Sequence, residues 1–310
     1  MVMQLDEANV RAALGWESLI AAVKAALAEF SRGRVLQPVR NMLTIEEGQR
    51  YLGIMPAVSD RVMGLKLVSF YPRNAGSEIP THMAMILLFE PETGEPLAVM
   101  DGRLITEMRT AAVSAAATER LSSPDSRVLA LLGSGVQAKA HIEALAHVRK
   151  FDDVRVWSRT PEHAKRFADE FSAVAMDAES AVRGADVVVT ATSALEPILK
   201  GAWLKSGAHV NAVGAPRPTW RELDDEVMAN VLVVDSREAV LKESGDVILS
   251  KAPIYAEIGE IFAGLRPAPV SQTTVFKSVG LAVEDLAAAH LVYGNCRNLP
   301  RSDERSVHTD

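Results

Sequence analysis

The stretch RVLALLGSGVQAKAH, residues 127–141, sets a continuous apolar run directly before Gly133, Gly135 and Ala138 in a GxGxxA spacing, with a helical pattern directly after it. Such an arrangement is a strand, a tight turn and a helix N-terminus, and it admits few architectures. The glycines allow close backbone approach, and the free amides of the first helical turn can hold a pyrophosphate. Over so short a stretch an ordinary strand-to-helix turn reads the same. The downstream residues favour the dinucleotide site: DVRVWSR, PEHAKRFADEF, ADVVVTAT, AHVNAVG and NVLVVDS alternate strand and helix patterns, with the second strand about 20 residues after the loop. That alternation implies parallel βαβ units.

Before residue 121 the texture is different. The stretch SLIAAVKAALAEFSRG sets Leu19, Ile20, Val23, Leu27 and Phe30 on one helical face, with Gly33 placed to end the helix. Short extended segments come next, YLGIMPAV, VMGLKLVSFY, THMAMILLFE and PLAVMDG, the last two joined by the turn-forming PETGE. They predict a mostly antiparallel sheet. The alanine-rich TAAVSAAAT reads as a tightly packed helix, and LSSPDS at 121–126 as the boundary. A chain of 310 residues fits two cores on a soft prior of roughly 150 residues per domain.

Charge and composition remove other classes. The net charge of −7, with 33 Lys and Arg scattered along the chain, leaves no basic footprint for nucleic acid. No uninterrupted apolar stretch approaches the ~18 residues of a membrane span. Cys296 is the sole cysteine, so no internal disulfide is possible, and no His or Cys pair has metal-ligand spacing. The start, MVMQLDEANV, lacks the basic-then-apolar pattern of a signal peptide, and the expected compartment is the cytoplasm.

The second strand of a dinucleotide-binding unit ends beside the adenosine ribose, where an acid marks NAD-selective sites. Here it ends Ser158-Arg159-Thr160, with no carboxylate to repel a 2′-phosphate and a guanidinium to pair with one, so NADP is the expected cofactor and NAD the alternative. In the other region three cations stand without matching acids nearby. Arg40 follows a proline in QPVRN, Arg109 falls in the first turn or so of ITEMRTAAVSAAAT, and Lys66 shares a strand face with Val68 and Phe70, where its amine is desolvated. Each alone reads as a structural salt-bridge partner; together they suit a carboxylate substrate.

These residues carry a resemblance to the ornithine cyclodeaminase/mu-crystallin family, above all its mu-crystallin branch of NADPH-dependent ketimine reductases. QPVRN, YLGIMPA, KLVSFYP, LLFEPETGEPLAVMDG, TEMRTAAVSAAAT, LLGSGVQA, HVNAVGAPRPTWRELDDEVM, VVDSREAVLKESGDV and TTVFKSVGLAVED carry it, from about residue 35 to 290. The resemblance implies an α/β fold: a Rossmann NAD(P)-binding domain over 121–280, and an α+β substrate-binding and dimerisation domain over 1–120 and 281–310, completed by the C-terminal helix. It implies a homodimer and a small imino- or amino-acid substrate. By position, Arg40, Lys66 and Arg109 match the substrate-carboxylate cluster, and His82 and Glu257 match residues beside the substrate. Thr110, Gly133, Gly135, Val136, Gln137, Ser158, Arg159, Thr160 and Val279 match cofactor contacts.

Three departures separate the chain from the cyclodeaminase pattern. Gly53 stands where a glutamate meets the substrate's δ-amino group, Gly214-Ala215-Pro216 lacks the catalytic aspartate after a glycine pair, and Ser158 replaces the NAD-binding acid. Asp224 and Asp225 are the nearby acids available as substitutes. The expected activity is reduction of a small or cyclic imino acid by hydride transfer, with Lys66 able to donate or relay a proton. An ornithine cyclodeaminase using NAD catalytically, an alanine or N-methyl amino acid dehydrogenase, and an NADP-linked ligand carrier without turnover are the alternatives.

Overall fold

The computed structural model describes residues 2–297, so 298–310 of the expected substrate domain lie outside the described residues. The first sheet contains β1 (Met3–Leu5), β2 (Asn41–Glu46), β3 (Arg50–Val58), β4 (Met63–Phe70), β5 (His82–Phe89) and β6 (Pro96–Asp101), in the order β1-β6-β5-β4-β3-β2. All its ladders are antiparallel except that of β1 with β6. Strict burial alternation along β3 and β4 makes one face core and leaves the other half-exposed.

Helices cover the core face. Asp6 and Asn9 form a reciprocal capping box that starts α1 (Glu7–Ala13). In α2 (Trp16–Ser31), Leu19, Ile20, Val23 and Leu27 are buried on one face, and Gly33 follows with φ +73°. The third helix, α3 (Arg103–Leu121), buries Ala111, Ala112, Ala115, Ala116 and Ala117 completely and packs against β5 of the first sheet and β11 (His209–Ala212) of the second. Small residues let it lie close to both. Arg109 is the seventh residue of this helix, one turn later than its sequence pattern predicts.

The second sheet contains β7 (Val128–Leu132), β8 (Asp153–Trp157), β9 (Val174–Ala175), β10 (Val187–Thr190), β11, β12 (Val231–Val234), β13 (Ile254–Glu257) and β14 (Thr274–Lys277). Every ladder is parallel, in the order β13-β12-β14-β11-β10-β7-β8-β9. From β7 the chain steps outward to β8 and β9, then crosses back to β10 and β11, so the order reverses beside β7. Ligands of open parallel sheets bind in the crevice at such a reversal. The connecting helices are α4 (Val136–Leu145), α5 (Pro161–Phe171), α6 (Ala178–Val182), α7 (Asp225–Met228), α8 (Arg237–Glu243), α9 (Gly245–Ser250) and α10 (Ile258–Phe262). The chain then returns as α11 (Ala282–Arg297), which packs on α2 and on β3, β4 and β5. Among the described residues no helix is long and apolar enough to cross a membrane.

Candidate active site

Gly133 ends β7 with φ +125°, and a Cβ there would lie 2.6 Å from the Ala191 carbonyl oxygen, so the turn accepts only glycine. Gly135 precedes α4 without a side-chain cap, and a Cβ on it would meet nothing within 4 Å. Open space therefore borders the start of α4 at Gly135. Beside it Gln137 Oε1 is buried without a hydrogen-bond partner among the described residues. An uncapped helix start, an open glycine and a buried unpaired acceptor fit a diphosphate with an adjacent donor. At the end of β8, Ser158 and Thr160 are half-buried, Arg159 is exposed, and no ion pair engages Arg159 among the described residues.

The three cations meet across the cleft, and their acids come from far away in sequence. Lys66 Nζ lies 2.6 Å from Asp285 Oδ2. Arg109 donates from Nε to Asp285 Oδ1 at 2.9 Å and from Nη1 to Glu284 Oε2 at 2.7 Å. Arg40 Nε pairs with Glu243 Oε1 at 2.9 Å, and its Nη2 donates to the carbonyls of Val279 and Gly280 at 2.6 Å each. The expectation of cations without matching acids is thus corrected: α11 supplies Glu284 and Asp285, and α8 supplies Glu243. Buried guanidinium and ammonium groups need such partners, and the fold brings them from other elements.

Burial dominates the electrostatics. It lowers Lys66 to about 8, with Asp285 opposing the shift and Arg109 reinforcing it. Burial raises Glu284 to about 7 despite the Arg109 guanidinium. Its Oε1 has no hydrogen-bond partner among the described residues. Burial alone would raise Asp285, but Arg109 and Lys66 outweigh it and hold that carboxyl below the usual range. His82, at the start of β5, is lowered to about 4 by burial first and then by Lys66 and Arg109, which makes it a neutral ring close to the cluster.

The segment after β14 is tied to Asp235 and borders the cations. Asp235 Oδ2 accepts from Ser278 Oγ and from the amides of Val279 and Gly280 at 2.7–2.9 Å. Gly280 has φ +82°, and a Cβ on it would fall 2.5 Å from Arg109 Nη1. Behind it, Lys277 Nζ donates to the Gly214 carbonyl at 2.6 Å and pairs with Asp246 at 2.9 Å, with both charged side chains fully buried. Asp235, Glu243, Asp246, Lys277, Glu284 and Asp285 were absent from the sequence-level site. The acidic pair in GLAVED and the lysine of TTVFKS, both inside apolar runs, were the signals available.

Two other sequence expectations change. Glu257 is not turned to the cations: its carboxylate accepts from Ser31 Oγ at 2.8 Å and from the Arg237 amide at 3.0 Å, and it caps α10. Asp224 caps α7 through the Val227 amide, and the exposed Asp225 pairs with Arg221, so both carboxylates have structural partners of their own. Thr110 donates its hydroxyl proton to the Thr106 carbonyl one turn back, which leaves the oxygen free to accept. The Gly53 departure has a steric basis, since a Cβ there would meet Met42 Sδ at 2.6 Å and Val68 Cγ1 at 2.8 Å. The space a glutamate would need is already filled.

A parallel sheet with a glycine loop at its reversal point, beside a cluster of three cations drawn from β4 (Lys66), α3 (Arg109) and the segment before β2 (Arg40), defines a two-sheet α/β nucleotide-binding class with a site for small anions. Within that class the chain belongs to the ornithine cyclodeaminase/mu-crystallin family, whose model matches residues 1–299. It is 53% identical over 284 residues to the ketimine reductase mu-crystallin of Mus musculus, covering 89% of this chain and 91% of that protein. Among solved structures it resembles the Δ1-pyrroline-2-carboxylate reductase of Thermococcus litoralis in complex with NADH and L-proline. That match has a TM-score of 0.90 at 35% identity and covers 96% of this chain and 98% of the other. An archaeal alanine dehydrogenase dimer with bound NAD matches with a TM-score of 0.91 at 33% identity, over 96% and 97% of the two chains.

Proposed function

We propose that the protein is an NAD(P)H-dependent reductase of small or cyclic imino acids. The carrying observation is the convergence of Arg40, Lys66 and Arg109 beside the 278–280 segment, which joins the cation cluster to the cofactor sheet. Gly133, Gly135, Val136 and Gln137 would hold the diphosphate of a nicotinamide dinucleotide, with Thr110 and Val279 toward its other end. When bound, that cofactor supplies the hydride. Arg40 and Arg109 orient the substrate carboxylate, and Lys66, tuned toward neutral pH by burial, delivers a proton to the imine nitrogen. The relatives named for ketimine and pyrroline-2-carboxylate reduction support this reading.

Arg159 favours NADPH, since no acid occupies that corner and its guanidinium is free for a 2′-phosphate. The open face of the first sheet supports a homodimer. Ile54, Leu67 and Met85 lie side by side in register, as do Pro56, Leu65, Leu87 and Val99, on the face away from the helices. Cyclodeamination is disfavoured by the filled Gly53 site and by the structural roles of Asp224 and Asp225. A panel of cyclic ketimine carboxylates, pyruvate with amines, and ornithine, assayed separately with NADPH and NADH, tests the reading. Ammonia release from ornithine without net cofactor turnover would overturn it.

A further inference from the structure

Arg217 stands apart from both the glycine loop and the cation cluster. It lies in the loop that leaves β11, shortly beyond the Gly214 carbonyl that Lys277 holds. The loop is fixed there, because the Arg217 carbonyl accepts from the amides of Gly245 at 2.9 Å and Trp220 at 3.1 Å. From this anchored backbone the side chain crosses from the parallel sheet to the other domain. Its guanidinium stands 3.8 Å from the ring centroid of Tyr51 and 5.4 Å from that of Phe70, two stacked rings at facing positions of β3 and β4.

Arg40, Lys66 and Arg109 each have a carboxylate partner, whereas the half-buried Arg217 side chain has no ion pair and no hydrogen bond among the described residues. Burial lowers it, and the charge of Arg40 adds to that effect. Of the acids within electrostatic reach, Glu243 is paired with Arg40, and Glu47 accepts the Tyr51 hydroxyl. Stacking a guanidinium on an aromatic face leaves its edge N–H groups available in a planar fork, the geometry that matches a carboxylate.

Its position along the sheet suggests what that carboxylate belongs to. Lys66, Val68 and Phe70 share one face of β4, and opposite them on β3 stand Met55, Gly53 and Tyr51. This face therefore has the cation cluster at one end, an apolar middle of Val68 and the Met42 side chain lying over Gly53, and Arg217 on Tyr51 and Phe70 at the other. Lys66 and Phe70 are about 13 Å apart at the backbone by the strand rise, and the two long cationic side chains shorten that span.

We propose that Arg217 is a specificity-determining residue that takes a second carboxylate, selecting imino acids whose side chain ends in an anion. The proposal rests on the imino-acid reductase reading. It is tested by NADPH oxidation with two open-chain imines of equal length, formed in situ from methylamine and either 2-oxoglutarate or 2-oxopentanoate. The C=N carbon of each accepts hydride, the nitrogen accepts a proton, and the product is the N-methyl amino acid. In the wild type kcat/KM for the dicarboxylic imine exceeds that for the monocarboxylic one at least about tenfold, the order of one charge-assisted contact. R217M brings the ratio close to one, and R217K keeps it clearly above one. Because the ratio is internal to each preparation, partial loss of folded enzyme cancels. A wild-type ratio near one, or a ratio unchanged in R217M, overturns the proposal. Absence of turnover with both imines and with a cyclic ketimine carboxylate overturns the reductase reading itself, and the proposal with it.

Discussion

Replacing Gly280 with alanine tests whether the cleft depends on the close approach of backbone and guanidinium. The position has φ +82°, where an alanine costs about 1 kcal/mol in backbone strain alone. The new Cβ would lie 2.5 Å from Arg109 Nη1, 2.6 Å from Nη2 and 3.0 Å from Cζ, so the guanidinium must retreat by roughly 1 Å to reach ordinary contact. It cannot do so freely, being bonded to Glu284 at 2.7 Å and to Asp285 at 2.9 Å. Loosening one hydrogen bond between charged groups costs about 1.5–3 kcal/mol, so with the strain the expected destabilisation is about 2.5–4 kcal/mol. Gly264→Ala is the control: φ is +72°, nothing lies within 4 Å of the added Cβ, and about 1 kcal/mol is expected. Denaturant unfolding of both variants isolates the guanidinium contribution as their difference. Steady-state assays should also find KM for the imino acid raised in Gly280→Ala, while NADPH affinity changes far less. A Gly280→Ala variant no less stable than Gly264→Ala would refute the reasoning.

Arg159→Ala should weaken NADPH at least about tenfold and leave NADH within about twofold, read by cofactor fluorescence titration, because the proposed role of that guanidinium is to pair with a 2′-phosphate. Glu284 titrates in the folded protein at about 7, above the ordinary carboxylate range, so its contribution to stability is complete below the unfolded value near 4.5 and is lost as pH rises toward 7. Melting curves should therefore show Glu284→Gln gaining on the wild type from about pH 5 to about pH 7.5; parallel pH profiles would contradict the assignment. Leu67→Asp, at the centre of the open sheet face, should convert a dimer to monomers in light scattering at micromolar concentration.

Local patterns in the chain translate directly into the fold. The glycine loop was legible because strand, turn and helix are contiguous, and the burial of Lys66 was legible because alternation along β4 is strict. Partners separated by long stretches of chain were not. The acids of Arg109 lie 175 and 176 residues away, and nothing local marks Glu284 or Asp285 as belonging to that arginine. Glu257 was misplaced because a glutamate before IGEIF serves equally well as a pocket acid or as a helix cap, and the cap is what formed. The edge strands β1 and β2 left little trace: one has three residues, and the other is exposed along most of its length. Arg217 was invisible for a related reason, since stacking on two rings of another domain has no signature in GAPRPTW.

Because α11 is translated after every other described element, Lys66 and Arg109 leave the ribosome long before residues 284 and 285, and the whole parallel sheet is made in between. Until that helix docks, two of the three cations have no counter-ion, and the inner face of the first sheet has no cover from the element that packs on β3, β4 and β5. The parallel sheet, complete at β14, is free to form first, while the segment before it waits as an unfinished half with exposed apolar strands. Assembly of the buried charge cluster is thereby tied to synthesis of α11, and a polypeptide released before it holds the parallel sheet but not the ion pairs of Lys66 and Arg109.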